Sequence, residues 1–132
     1  MTSAQLRFPP CPIRGVHVLH RRQNCGPQFA EMEVDFEPAA EGFAFEVPEG
    51  LLATCEPAED LSHLVAAAAA AIQEELSAPE HGLVISARVV LRSIRTDTFG
   101  SHELAFRVAG HLAARKALAR VSPSNAAPLG CE

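Results

Sequence analysis

A chain of 132 residues, 48% hydrophobic and 20% charged, has the size and composition of one globular domain, and it has no apolar run of membrane-spanning length. A net charge of −5 excludes indiscriminate binding to nucleic acid, and the absence of Trp and Tyr leaves an aliphatic core supplemented by seven Phe. The start of the chain lacks the apolar stretch of a secretory signal, so a cytoplasmic location is expected. Cys11, Cys25, Cys55 and Cys131 form no C-x-x-C pair and are expected to be free thiols in a reducing compartment. The charge is segregated: residues 23–87 contain no Lys or Arg, and all eleven basic residues lie in the two flanks.

Residues 1–12 are rich in turn formers and predict a flexible arm, and residues 121–132 a flexible tail, leaving a domain over 13–120. Ile13–Leu19 predicts a first strand, followed by a loop over His20–Pro27 that carries Arg21, Arg22, Asn24 and Gly26. From Phe29 to Phe36 the alternation is strict. Ala30, Met32, Val34 and Phe36 face one way; Glu31, Glu33, Asp35 and Glu37 continue the other, a half-buried strand with an acidic outer face. Phe43, Phe45 and Val47 form the inner side of a third strand, closed by Pro48 and Gly50. Six consecutive alanines, Ala66–Ala71, sit inside a helix over about 61–77, capped by Asp60 or Ser62, with Leu61, Val65, Ala68, Ile72 and Leu76 at spacings of three and four.

Leu83–Ile94 predicts a fourth strand, with Ile85, Ala87, Val89 and Leu91 inward and Ser86, Arg88, Val90 and Arg92 outward. A loop over 95–100 leads to a second helix capped by Ser101, with Leu104, Ala105, Val108, Ala109 and Leu112 on its apolar face and Arg115, Lys116 and Arg120 gathered at its end. The order β-β-β-α-β-α, with three consecutive strands joined as a meander and helices over their apolar side, is an α+β two-layer sandwich.

Catalytic constellations are hard to assemble. The single lysine, Lys116, lies inside a helix, so there is no phosphate loop of GTPase type. His17 and His20 point to opposite faces of a strand, as do His102 and His111 on one helix, so neither pair with Cys25 makes a metal site. Ser101, His102 and Glu103 are adjacent and cannot converge into a nucleophile–base relay. No catalytic residue, metal or cofactor is expected.

The segment Ser101–Arg107, SHELAFR, resembles the Ser-Ser-Glu-x-Ala-Phe-(Lys/Arg) segment that opens the last helix of the fourth domain of the translocation GTPases, elongation factor G and its eukaryotic counterpart. Gln23–Pro38, QNCGPQFAEMEVDFEP, resembles that family's Gln-Ser-Gly-Gly segment and following strand, and Gly42–Val47 resembles the next strand, in the same order. The resemblance implies the family's left-handed β-α-β crossover, shared with the GHMP kinases, and no GTPase domain. It also implies two tip loops, His20–Gln28 and Ile94–Ser101, that contact the ribosome. Transferred residue by residue, the RNA-binding positions are Arg21, Arg22, Arg92 and Arg95, and the tip positions are Asn24, Gly26, Asp97 and Gly100. Asp97 and Gly100 stand where the family carries a histidine and an aspartate. The function implied is a non-catalytic domain that binds ribosome or structured RNA in translation. The alternative is a protein–protein interaction module that docks a partner on the acidic strand face or on an unpaired sheet edge.

Overall fold

The computed structural model describes residues 6–22, 27–48, 51, 62–96 and 101–121. In chain order the elements are β1 (Leu6–Phe8), β2 (Ile13–Arg22), β3 (Gln28–Pro38), β4 (Gly42–Glu46), α1 (Ser62–Leu76), a 3-10 turn (Pro79–His81), β5 (Leu83–Arg95) and α2 (Glu103–Arg120). They form a mixed α+β fold: one five-stranded sheet whose apolar side shares a single core with both helices.

The meander expected from sequence is only half present. β2 and β3 pair antiparallel, but β3 does not pair with β4; β5 lies between them, antiparallel to β3 and parallel to β4. β1 extends the same edge of β5, parallel to it, beside Leu83–Ile85. At thirteen residues β5 is the longest strand and β3 follows at eleven, so each can use a partner on both sides, whereas the five residues of β4 serve an edge. Parallel neighbours cannot be joined by a tight turn, and α1 supplies the crossover from β4 to β5.

Leu6–Phe8, expected in a flexible arm, are instead a strand. A three-residue segment carries too little periodicity to be recognised, yet Phe8 is fully buried and its ring meets Phe36 edge-on at 6.0 Å. Ala30, Met32, Val34 and Phe36 are buried as the alternation requires. On β5 the period of two slips. Leu91 pairs with Val34 and Ser93 with Glu33, leaving Arg92 as an extra residue, so that Ile94 turns inward at an even position. Ser86 and Val90, on the outer side, are nevertheless buried; Ser86 is closed off by hydrogen bonds to Ala39 and from Arg7.

The apolar face of α2 is also rotated from the expected one. Ala105, Phe106, Ala109, Gly110, Ala113, Ala114 and Ala117 are buried, Val108 and Leu112 are only half-buried, and Leu104 is 54% exposed. The reason is proximity to α1. A methyl built on Gly110 would stand 2.5 Å from the carbonyl oxygen of Ala68 and 2.9 Å from Cβ of Ala71. Helices this close select small side chains over large apolar ones, and the alanine run of α1 provides the matching surface. Ser101 does not cap α2. The helix starts one residue later, with His102 at the cap position, and the Ser101 hydroxyl donates to the carbonyl of Phe29 at 2.8 Å. No helix among the described residues is long and apolar enough to cross a membrane. Cys11 is disulfide-bonded, which corrects the expectation of free thiols at that position; its partner lies outside the described residues.

Candidate nucleic-acid interface

β3, whose outer side carries Glu31, Glu33, Asp35 and Glu37, runs between β2 and β5, which together carry six of the eleven basic residues. Because β2 and β5 come from opposite sides of the lysine- and arginine-free segment, the charge segregation along the chain becomes charge pairing across the sheet. Glu31 accepts from Arg95 at 2.7 Å and pairs with Nε2 of His17 at 2.7 Å. Asp35 faces Arg92 at 3.6 Å and accepts the backbone N–H of Gly15 at 2.9 Å. Gly15 has φ +69° and, with Arg14, forms a bulge opposite Asp35, which aims that N–H at the carboxylate. Glu37 takes a two-point contact from Arg14, at 3.1 and 3.2 Å, and Arg88 pairs with Glu46 at 2.6 Å. Three of the four acids on the outer side of β3 are therefore neutralised by neighbouring bases, and Glu33 meets none among the described residues.

Both strands run further than the sequence suggested. β2 continues through His20, Arg21 and Arg22, and β5 through Arg95, so these residues lie on strands rather than in loops. The register nevertheless brings the two arginine-bearing segments to one end of the molecule: Arg22 pairs with Gln28, Arg21 with Phe29, and Arg95 with Glu31 three positions along the same strand. The start of α2 closes onto the same place, through the Ser101 bond to Phe29 and through His102, whose Nε2 lies 3.3 Å from the carbonyl of Pro27. Asn24, Gly26, Asp97 and Gly100 lie outside the described residues.

The four expected contact arginines separate into two kinds. Arg92 and Arg95 are held by Asp35 and Glu31, and the Arg95 guanidinium also sits 5.8 Å from the centre of the Phe29 ring. Arg21 and Arg22 are exposed and face no carboxylate among the described residues. The histidines divide as expected: His17 meets Glu31 on the outer side, while His20 bonds the buried Gln28 at 2.8 Å on the helix side. Among the described residues no three His, Cys, Asp or Glu side chains converge on a common point.

Sequence inspection missed the edge of β2. Lys116 donates to the carbonyl of His17 at 2.7 Å, and Arg120 donates to the carbonyls of Arg14 at 2.7 Å and Gly15 at 3.4 Å. Those carbonyls point away from β3, and the helix covers them with cations. The available signal was the spacing: two bases at i and i+4 share one helix face. Edge carbonyls capped in this way resist pairing with another strand.

A second polar cluster fastens the helices to each other. Glu75 of α1 accepts from Nδ1 of His111 at 2.9 Å and from Arg115 at 3.3 Å, and lies 3.4 Å from His81. Burial works to raise this carboxyl, but the contacts with His111, Arg115 and His81 outweigh it and hold Glu75 below its ordinary value. Neighbouring Glu74 takes Arg107 at 3.3 Å.

No family model and no curated protein matches the chain. Among solved structures it is similar to a protein from Thermus thermophilus, with a TM-score of 0.56 and 20% sequence identity over 82% of this chain. The chain spans 15% of that protein's length. At this identity the likeness concerns the fold alone: the mixed sheet and its two helices recur as a small part of a much longer chain.

Proposed function

We propose that this chain is a non-catalytic domain of the elongation factor G fourth-domain type that binds ribosome or structured RNA in a translation-related role. On that kinship the β4-α1-β5 crossover is the left-handed one. The observation that carries the proposal is the convergence of two distant segments, the end of β2 with the start of β3 and the end of β5 with the start of α2, at one end of the sheet, with Arg21 and Arg22 facing no carboxylate among the described residues. Arg21 and Arg22 are the principal phosphate contacts. Arg92 and Arg95 serve mainly to hold the acidic strand, since a guanidinium already paired at close range offers a phosphate much less.

The alternative of a protein partner has less support. Three of the four acids of the strand face are neutralised by neighbouring bases, and the β2 edge is partly capped by Lys116 and Arg120.

Co-sedimentation with small ribosomal subunits at low salt tests the proposal. Arg21→Glu with Arg22→Glu is expected to abolish it, and Arg92→Gln with Arg95→Gln to weaken it only slightly. Unchanged sedimentation of the Arg21/Arg22 variant would exclude this end of the molecule as the contact.

A further inference from the structure

We infer that the phosphate-binding surface extends from Arg21 and Arg22 along the outer edge of β2 to Lys116 and Arg120 of α2, forming a track for the backbone of duplex RNA; this rests on the RNA-binding role proposed above. Of the eleven basic residues, six face a carboxylate: Arg14, Arg88, Arg92, Arg95, Arg107 and Arg115. The other five face none among the described residues. Arg7 sits apart on β1, bonded to Ser86 and to the carbonyl of Ala40. The remaining four, Arg21, Arg22, Lys116 and Arg120, all belong to a single edge of the molecule. In a protein of net charge −5, four of these five cations lie along one edge, Arg21 on the outer side of β2 with His17 and Arg22 on the helix side with His20.

The anchoring of Lys116 and Arg120 strengthens the case. Each is held by backbone carbonyls, which are neutral and orient the cation without cancelling it. Lysine has three donors and arginine five, so both keep N–H groups for an incoming oxygen. The nearby carboxylates do not compete freely: Glu31, Asp35 and Glu37 are engaged by other bases, and the half-buried Glu33 lies beside the Gly15 bulge.

Two observations favour a nucleic acid backbone over a peptide. An added strand needs successive outward carbonyls and amides on β2, and the carbonyls of Arg14, Gly15 and His17 are taken by α2, leaving only those of Leu19 and Arg21. The cation spacing also suits a dense polyanion. Measured along β2, the Arg120 anchor lies roughly 8 Å from that of Lys116, and Arg21 roughly 13 Å beyond it, at ~3.3 Å per residue. A duplex, with a charge every ~1.7 Å of axis, meets every cation whatever the register. Leu19 and Leu104 are the only large apolar side chains exposed among the described residues, so no exposed aromatic there offers a stacking platform for bases. Contact is with phosphate and shape, with little sequence preference.

The test is fluorescence anisotropy of a labelled RNA duplex against salt, with the full chain. Four phosphate contacts give a log–log slope of about −3.6, a loss of roughly 150-fold between 50 and 200 mM salt. Lys116→Gln with Arg120→Gln is expected to reduce the slope by about 1.8, as is Arg21→Gln with Arg22→Gln. Lys116→Arg with Arg120→Lys keeps the charges and should keep the wild-type slope, which separates charge from any loss of fold. If the Lys116/Arg120 neutral variant binds with unchanged slope while the Arg21/Arg22 variant loses binding, the track is wrong and the end-of-sheet contact stands. If the wild-type chain binds no duplex, both fall. Polyglutamate competing as well as RNA at equal charge would overturn the assignment to nucleic acid.

Discussion

The two sides of β3 are held in opposite ways. On the helix side Met32, Val34 and Phe36 are sealed under α1 and α2, and between the helices even one added methyl group has no room. On the outer side Glu31, Asp35 and Glu37 are fixed by charges from the neighbouring strands, most of them on long, solvated side chains. One side is rigid because it is dry and close-packed; the other is specific in its pairing but weak in energy. The molecule thus depends on its packed side for stability and uses its pairs to remove charge from a face that would otherwise repel itself. Among the described residues, the basic side chains that face no carboxylate lie along β2, with Arg7 on β1 as the exception.

That contrast can be broken most strongly from the packed side. Phe36→Ala, which also strips Phe8 of its ring partner, is expected to cost about 3–5 kcal/mol in urea unfolding. A cost below ~1 kcal/mol would mean the core is not organised around these rings. Gly110→Ala is expected to cost about 1–3 kcal/mol, because the obstruction is the backbone of Ala68 rather than the end of a flexible side chain. Stabilisation, as helix propensity alone would give, would show that the two helices stand further apart in solution.

The Glu75 cluster sharpens the comparison, since it is a polar contact on the packed side. Its carboxyl is held below the ordinary value of 4.5, so its contribution is fully present above that pH and is lost as pH falls through the lowered folded-state value. Glu75→Gln is expected to cost on the order of 1 kcal/mol at neutral pH and to flatten the acid limb of the stability curve. An unaltered acid limb would remove Glu75 as its source. The smallest effect belongs to the outer side. Arg95→Gln is expected to change stability by no more than about 1 kcal/mol, with the difference shrinking in high salt.

Much of the architecture could be seen in advance, and the failures have definite causes. The alternation from Ala30 to Phe36 showed the inner side of β3 because one strand with one wet side obeys a period of two. The same rule failed after Leu91, where the extra residue Arg92 reverses the pattern and leaves no mark in composition. The apolar face of α2 was misjudged because hydrophobicity ranks Leu104 above Gly110, whereas close packing ranks them the other way. At the candidate site, the convergence of the two arginine-bearing segments was anticipated. The neutralisation of Arg92 and Arg95, and the part played by Lys116 and Arg120, were not.

By itself the sequence determined four of the five strands and both helices, since backbone propensity and apolar periodicity act over a few neighbouring residues; β1 was too short to show either. It also determined that acid and base would be kept apart along the chain. Only the tertiary structure decided that β5 enters between β3 and β4, that Glu31, Asp35 and Glu37 of β3 each meet a base, and which five cations face no carboxylate among the described residues. Electrostatic pairing acts through space at a few ångströms, and the residues it joins here, such as Glu31 and Arg95, are brought together only when the sheet closes.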